Sequence, residues 1–250
     1  MCPTAPITPP EIKIILLDIE GTTTPVDFVY QTLFGFARKN LLAFLQKASG
    51  EPAVRTCIAG LKVQYAIDRQ EGKAPPEWRD GAPELETDSA TQYGLWLMHR
   101  DSKAGPLKAL QGLIWQEGYT SGTLHGEVYA DVPPAFERWR GQGKEISIYS
   151  SGSKLAQQML FRSTQFGDLT TKIKSFFDTR VGTKRSHESY TKIASISGHQ
   201  PNQFLFLSDI IEELDAARSA GMQTTLVVRS ANVGIPSTKH PQIETFDELP

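Results

Sequence analysis

The chain has 250 residues, 39% of them hydrophobic and 22% charged, which is typical of a soluble globular protein with one large or two modest domains. Its formal net charge of −2 gives no electrostatic basis for binding nucleic acid or an anionic membrane. No stretch of the sequence is long and apolar enough to span a bilayer.

The first predicted element is a strand that ends in two carboxylates. The run from Ile14 to Leu17 is the nearly continuous hydrophobic stretch expected of a parallel strand buried on both faces. Asp18 and Glu20 follow it, and ligands of such sheets collect at the carboxyl ends of the strands. Gly21 lets the backbone turn and expose amides and the Thr22 hydroxyl. Taken alone, this stretch is equally well explained as an ordinary strand followed by a capped turn.

The part of the chain after this strand is predicted to be helical. Asp27 has the side chain of an N-cap, and apolar residues recur after it with helical spacing. Further helices are predicted at about 52–69, 91–100 and 106–117, with a polar loop at 72–88. These helices lie between the first strand and everything that resembles a sheet, so they form an insertion.

From Tyr129 onward the pattern alternates between helix and strand. Helices are predicted at 132–141, 153–161, 187–196 and 212–220, and strands at 145–149, 176–178, 204–207 and 224–228. Alternation of this kind predicts a parallel sheet with right-handed crossovers. We therefore expect an α/β protein with a doubly wound parallel-sheet (Rossmann-like) core, residues 1–25 and 129–250, and an inserted all-helical cap domain, residues 26–128.

Polar side chains follow three of the predicted strands. They are Asp18, Glu20 and Thr22 after the first, Ser150 and Ser151 after the second, and Ser208 and Asp209 after a later one. A lone serine or Ser-Asp pair after a strand is usually a turn residue or a helix cap. Because parallel strands end at the same edge of a sheet, the joint occurrence of these groups instead favours a catalytic site.

Four segments resemble, in order, the four motifs of the haloacid dehalogenase superfamily: Asp18–Thr23, Tyr149–Ser153, Lys184 and Phe206–Asp209. Phosphatases of the superfamily usually carry Asp two residues after the nucleophilic Asp, whereas this sequence has Glu20. Glutamate there is a pattern of one branch, the enolase-phosphatases (acireductone synthases) of methionine salvage. Three more segments resemble that branch: Asp131–Pro133, His187–Tyr190 and Glu213–Ala217. The resemblance covers residues 14–229 and is weakest at 72–88.

The resemblance implies a magnesium-dependent phosphoric monoester hydrolase. Asp18 would attack phosphorus to give an aspartyl phosphate, and the Glu20 side chain would protonate the leaving oxygen and then accept a proton from the hydrolytic water. Mg²⁺ would be held by the Asp18 carboxylate, the main-chain carbonyl of Glu20 and Asp209. The phosphate would be held by Thr22, Ser150, the Ser151 backbone and Lys184.

The substrate that the resemblance implies is 2,3-diketo-5-methylthiopentyl-1-phosphate, which this branch enolises and then dephosphorylates to the acireductone 1,2-dihydroxy-3-keto-5-methylthiopentene. Enolisation needs a base, and the sequence does not choose among Glu20, Glu127 and Asp131. The thioether tail needs an apolar pocket, which we hypothesise the helical insertion supplies. The candidates for lining this pocket are Phe28, Tyr30, Phe34 and Trp115. Aromatic residues at helical spacing are, however, more often part of the core.

Alternative interpretations remain open at this level. Lys184 has several basic neighbours in sequence, and such clusters are usually solvated; only the order of the motifs favours a role in the site. The chain is alternatively another magnesium-dependent small-molecule phosphatase of the superfamily, or a catalytically silent binding module. As partner we expect a small-molecule phosphate ester, with no nucleic acid and no membrane.

The cellular setting is predicted from the cysteines and the N-terminus. Cys2 and Cys57 form no C-x-x-C pair, which fits a reducing compartment, and residues 1–11 lack the features of a secretory signal. We expect a cytoplasmic protein, also nuclear if the source is eukaryotic. We further expect a monomer, because an inserted cap can close the site by itself, with hinges at 23–26 and 126–131.

Overall fold

The computed structural model describes residues 11–229 and 239–250. The described chain divides into two compact units: the residues up to Val26 together with those from Glu127 onward, and Asp27–Gly126. Across the described ranges, no helix combines the length and the apolar character needed to cross a membrane.

The unit Asp27–Gly126 is helical. After a π-helical segment, Phe28–Leu33, it contains α1 (Phe34–Ala48), α2 (Pro52–Gln70), α3 (Pro83–His99) and α4 (Gly105–Thr120). Each helix contributes apolar side chains to a common core that includes the fully buried Leu41, Leu61, Tyr93 and Leu110. One carboxylate is buried with them: Asp68 accepts hydrogen bonds from the Tyr93 hydroxyl (2.7 Å) and from Lys73 and Gln64 (3.1 Å each).

The other unit is built on a six-stranded parallel sheet with the order β3-β2-β1-β4-β5-β6. The strands are β1 (Ile14–Leu17), β2 (Glu145–Tyr149), β3 (Ser175–Phe177), β4 (Phe204–Ser208), β5 (Gln223–Val227) and β6 (Gln242–Ile243). The helices are α5 (Val132–Gly141), α6 (Lys154–Arg162), α7 (His187–Ser197) and α8 (Ile211–Ser219). All four residues of β1 are buried, as its apolar run predicts.

The predicted fold class is confirmed by this sheet. The chain builds outward from β1 to β3, then crosses to β4 on the other side of β1 and continues outward to β6. Right-handed crossovers therefore place α5 and α6 on one face and α7 and α8 on the other. The last two helices contact each other, and their apolar side chains share one core cluster with those of β1.

Two local predictions were wrong, and one strand was not predicted. Asp27 is not an N-cap: its φ of −59° and ψ of −37° are helical, and its carboxylate instead accepts a hydrogen bond from Gln31 one turn later (3.3 Å). Helix α3 begins at Pro83, inside the predicted loop 72–88, because a proline without an N–H is tolerated in the first turn of a helix. The edge strand β6 was missed because two residues carry no detectable periodicity.

Candidate active site

The site lies at the carboxyl ends of three neighbouring strands. In the sheet β1 stands between β2 and β4, and Asp18, Ser150 and Asp209 are the residues that directly follow these three strands. The chain first adds strands on one side of β1 and then on the other, beginning with β4. The point between β1 and β4 is therefore where the order of the strands reverses. Such a switch point leaves a crevice because the connections on its two sides run to opposite faces of the sheet. The predicted polar residues are therefore gathered at a position that suits a ligand.

A buried ammonium group joins two carboxylates in this crevice. Lys184 Nζ lies 2.6 Å from Asp18 Oδ1 and 2.5 Å from Glu213 Oε2. The side chain of Lys184 is only 9% exposed, so its interpretation as part of a solvated basic face is wrong. Burial by itself would lower the pKa of Lys184, but the attraction of Asp18 and Glu213 outweighs it and raises the pKa. Lys184 therefore remains a cation in the site.

Glu213 also lies in the candidate site, although it was not selected from the sequence. It lies in the first turn of α8, four residues after Asp209, and its carboxylate also accepts a hydrogen bond from Ser208 Oγ (3.0 Å). Burial and the charge of Asp18 raise the pKa of Glu213 to about 7, although Lys184 opposes the shift. An acid in the first turn of the helix that follows a site strand is the sequence signal that could have identified it.

Asp209 adds a third carboxyl group, on a partly buried residue. Burial raises its pKa to about 7, the charge of Asp18 adds to the increase, and Lys184 opposes it. If Asp18, Asp209 and Glu213 are all ionised, Lys184 balances only one of three negative charges. The site is therefore electrostatically suited to a cation. In the described part of the chain, however, three or more His, Cys, Asp or Glu side chains nowhere form a metal-binding group, so a metal here needs backbone or solvent ligands as well.

The turn after Asp18 is held by its own backbone. The carbonyl oxygen of Ile19 accepts hydrogen bonds from the N–H groups of Thr22, Thr23 and Thr24 at 3.2, 3.0 and 2.9 Å. Gly21 has a φ of +70°, in the left-handed region that glycine adopts without strain. Glu20 lies on this turn, partly buried, and forms a backbone bridge with Thr24.

Thr22 and Ser150 have hydroxyl groups that suit an anion. Thr22 is fully buried, and among the described residues its hydroxyl has no hydrogen-bond partner. Ser150 is also buried, and its Oγ accepts a hydrogen bond from the Gly152 N–H (3.2 Å), which leaves the hydroxyl hydrogen to be donated. Ser151 is exposed and follows Ser150 in the loop before α6. This arrangement can donate several hydrogen bonds to a phosphate.

The loop that carries Lys184 is fixed by two tyrosines that sequence reasoning did not select. Tyr149 Oη donates to the carbonyl oxygen of Gly182 (2.9 Å), and Tyr190 Oη donates to that of Lys184 itself (2.8 Å). The two rings also contact each other edge to face, with centroids 5.6 Å apart. The position of the ammonium group therefore depends on buried aromatic residues of β2 and α7.

The other residues proposed from the sequence, the candidate enolisation bases and the aromatic residues of the helical unit, differ in burial and in hydrogen bonding. Asp131 Oδ2 accepts hydrogen bonds from Arg229 Nη1 (2.7 Å) and the Phe246 N–H (2.6 Å), whereas Glu127 is exposed. Of the four aromatic candidates in the helical unit, Phe28 is buried and Tyr30 is 51% exposed. Trp115 donates its indole N–H to the carbonyl oxygen of Leu33 (2.8 Å), packs against the helical core and makes an edge-type ring contact with Phe34.

The parallel sheet and the Asp–Lys pair at its edge define a class of hydrolase. The sequence model of the family described as haloacid dehalogenase-like hydrolase matches residues 12–221. The chain belongs to this family, and the superfamily predicted from the four motifs is confirmed.

Comparison with individual relatives identifies the branch of the family. The enolase-phosphatase E1 of Synechococcus elongatus is 46% identical over 242 residues, which cover 96% of this chain and 99% of the relative. That of Sorangium cellulosum is 43% identical over 237 residues, 95% of this chain and 97% of the relative. The crystal structure of the UTR4 protein of Saccharomyces cerevisiae is 31% identical, with a TM-score of 0.77 and coverage of 96% of this chain and 100% of that one. The predicted enolase-phosphatase branch is thus confirmed.

Proposed function

We propose that this chain converts 2,3-diketo-5-methylthiopentyl-1-phosphate to the acireductone and phosphate, as a magnesium-dependent enolase-phosphatase of methionine salvage. The observation that carries the proposal is the buried pair of Asp18 and Lys184, 2.6 Å apart, beside the carboxyl group of Asp209. The similarity to proteins named enolase-phosphatase E1 supports the choice of substrate.

Asp18 is the proposed nucleophile. The residue is 4% exposed, so few water molecules have to be displaced when its carboxylate approaches a phosphorus atom. Attack forms the bond between Asp18 and phosphorus and breaks the bond to the leaving oxygen, giving an aspartyl phosphate that water then hydrolyses. Lys184 is proposed to bind the non-bridging oxygens, with the hydroxyl groups of Thr22 and Ser150 and the backbone of Ser151.

The donor set fits Mg²⁺. Two carboxylates, those of Asp18 and Asp209, and the main-chain carbonyl of Glu20 would hold the ion, and hard oxygen ligands of this kind are the ones that it prefers. The excess of buried negative charge supports the same assignment. When bound, Mg²⁺ supplies neutralisation of the charge on the phosphate oxygens.

Glu20 is proposed as the general acid and base. It protonates the leaving oxygen in the first step and accepts a proton from the attacking water in the second. We also assign to it the removal of the carbon-bound proton in enolisation. The carboxylate of Asp131 is held by two strong donors, which favours a structural role for that residue, and Glu127 is exposed.

The helical residues 26–128 are proposed to act as a cap domain that supplies the apolar pocket for the thioether tail. Residues 1–25 and 129–250 then form the core that carries the chemistry. We further propose that the protein is a cytoplasmic monomer that binds neither nucleic acid nor membrane.

The direct test supplies the purified chain with the diketo phosphate and Mg²⁺ and follows the enol absorbance and phosphate release together. An enol that forms and then decays as phosphate and acireductone appear is the expected result. Phosphate release with neither enol nor acireductone would reduce the function to that of a plain phosphatase. No phosphate release from this ester or a simple aryl phosphate would favour a silent binding module.

A Glu20→Gln variant separates the two proposed roles of this residue. With an aryl phosphate, whose leaving group needs little protonation, we expect a modest loss in the first step and near-normal Mg²⁺ affinity. With the diketo phosphate we expect the enol signal to be lost as well. An unchanged enol rate would assign the enolisation base to another residue.

A further inference from the structure

Arg229 is a buried cation that contacts the backbone of the turn after Asp18. The residue is 5% exposed, and its guanidinium group lies over the rings of Tyr129 (4.2 Å) and Phe246 (4.7 Å). Its Nη1 donates to Asp131 Oδ2 (2.7 Å) and to the carbonyl oxygen of Glu244 (3.1 Å). The charge of Arg229 is therefore balanced by Asp131, and its ring contacts fix the plane of the group.

Two other nitrogens of Arg229 donate to one atom of the turn. Nε and Nη2 donate to the carbonyl oxygen of Thr22 at 3.1 and 2.8 Å, and both bonds are buried. On the other side of the same peptide unit, the Thr23 N–H donates to the carbonyl oxygen of Ile19 (3.0 Å). Because a peptide unit is planar, bonds on both sides fix its orientation. Arg229 and the turn's own backbone thus hold this peptide between them.

The orientation of this peptide sets the direction of the Thr22 side chain. The Thr22 hydroxyl is fully buried and lacks a partner within the described residues, as expected of a group that is reserved for a ligand. We propose that Arg229 is a positioning residue for phosphate binding, which acts through the Thr22 carbonyl without touching the phosphate. This inference rests on the proposed function, because it assumes that phosphate binds at this turn.

A second arginine provides a matched control. Arg138 Nη2 donates to the carbonyl oxygen of Phe246 (2.6 Å), and its Nη1 lies 4.0 Å from Asp247. Arg138 therefore anchors the same C-terminal segment that Arg229 touches. Neither of these partners belongs to the turn after Asp18. Removing Arg138 weakens the shared anchoring but leaves the Thr22 carbonyl bonds in place.

The experiment compares Arg229→Met, Arg229→Lys and Arg138→Met with the wild-type enzyme, each with saturating Mg²⁺. Inorganic phosphate serves as a competitive inhibitor of aryl phosphate hydrolysis, and Tm and kcat are measured alongside. We expect Arg229→Met to raise the phosphate inhibition constant roughly 10-fold, the scale of one lost bond to a charged group. Arg229→Lys, which keeps the charge but not the planar fork, should give a smaller increase. Arg138→Met should lower Tm and change this constant less than about twofold.

Two results would overturn the inference: an Arg229→Met enzyme that binds phosphate as the wild type does, or an Arg138→Met enzyme with an equal loss. If Arg229→Met does not fold, the comparison of Arg229→Lys with Arg138→Met tests the inference in the same way. An active wild type with unchanged variants rejects only the role of Arg229. A wild type that neither hydrolyses phosphate esters nor is inhibited by phosphate rejects the proposed function, and the inference with it.

Discussion

Lys184 Nζ lies 2.6 Å from Asp18 Oδ1 although the two residues are 166 positions apart in the chain. The pair forms because the loop after β3 brings Lys184 to the end of β1, and the carbonyl of Lys184 is fixed by Tyr190. Both side chains are buried, so solvent screens their attraction little. Asp18, the proposed nucleophile, is thereby held in one orientation.

Replacing either member of this pair should remove phosphatase activity. Asp18→Asn replaces the carboxylate with an uncharged amide, whose oxygen is a far weaker nucleophile, and we expect its turnover of an aryl phosphate to fall at least ~1,000-fold. Lys184→Met should be similarly inactive, because it leaves Asp18, Asp209 and Glu213 without their cation. Asp168→Asn, at an exposed position, is the control and should keep wild-type activity. Substantial turnover by Asp18→Asn would disprove its role as nucleophile.

Glu213 should matter to activity while its neighbour Glu212 should not. Glu213→Gln keeps the size of the side chain but removes one of the two negative charges that hold Lys184, so we expect kcat/KM to fall roughly 10-fold. Glu212 is exposed, and Glu212→Gln should change kcat/KM less than about twofold. Steady-state kinetics on an aryl phosphate measure both. Equal effects would mean that the buried pairing with Lys184 is not used.

Magnesium affinity should depend on pH through Asp209. Its pKa is raised to about 7 in the metal-free site, so a proton competes with the ion below that pH. We expect the Kd for Mg²⁺ to increase by up to ~10-fold per pH unit below about 7 and to level off above it. Calorimetric titrations from pH 5.5 to 8 measure this slope. Asp209→Asn should bind weakly at every pH, and a steep slope in that variant would assign the proton elsewhere.

The raised pKa of Asp209 should also affect the stability of the metal-free protein. The folded state keeps a proton on Asp209 that the unfolded chain releases near the ordinary value of 3.8. The free energy of unfolding should therefore decrease as pH rises from about 4 to about 7, and added Mg²⁺ should oppose the decrease. Chemical denaturation with and without the ion measures this. Glu213 contributes in the same direction because its pKa is also about 7.

Gly182→Ala should displace Lys184. Gly182 has a φ of +141°, and a Cβ at this position would contact Ser189 Oγ, whose own bond to the Thr183 carbonyl oxygen helps to fix the loop. We expect a lower kcat/KM with a Tm reduced by several degrees, because the clash and the backbone strain both act on this loop. Gly35→Ala, where a Cβ meets no atom within 4 Å, is the control. Wild-type kinetics in Gly182→Ala would contradict this prediction.

Tyr93→Phe should destabilise the helical unit. Burial would raise the pKa of Asp68, but hydrogen bonds from Tyr93, Lys73 and Gln64 outweigh it and lower the pKa. Removing the Tyr93 hydroxyl should reduce the free energy of unfolding by about 1–3 kcal/mol, because a buried carboxylate loses a donor. Tyr30→Phe, at an exposed position, should have little effect.

The pH dependence of the loss of stability in Tyr93→Phe distinguishes the loss of a hydrogen bond to Asp68 from a packing defect. The contribution of a carboxyl group with a lowered pKa is present above about pH 4 and disappears as pH falls through its folded-state pKa. The difference between Tyr93→Phe and the wild type in urea denaturation should therefore shrink below pH 4. A constant difference would indicate a packing defect instead.

The sequence by itself determined the element types and the position of the candidate site. Hydrophobic runs and periodicities are local properties, so the parallel strands and the α/β class could be predicted from them. The ends of parallel strands share one edge, so Asp18, Ser150 and Asp209 could be grouped without coordinates. The local errors at Asp27 and Pro83 arose where a residue suits both a helix and the turn before it.

Tertiary structure alone decided which charges are paired and how the site is held. That Lys184 is buried between Asp18 and Glu213, and that Arg229 binds the Thr22 carbonyl, follows from loops that return to the sheet from distant parts of the chain. No periodicity records such contacts, because the partners are far apart in sequence. Their strength comes from burial, which removes the solvent that would otherwise screen each charge.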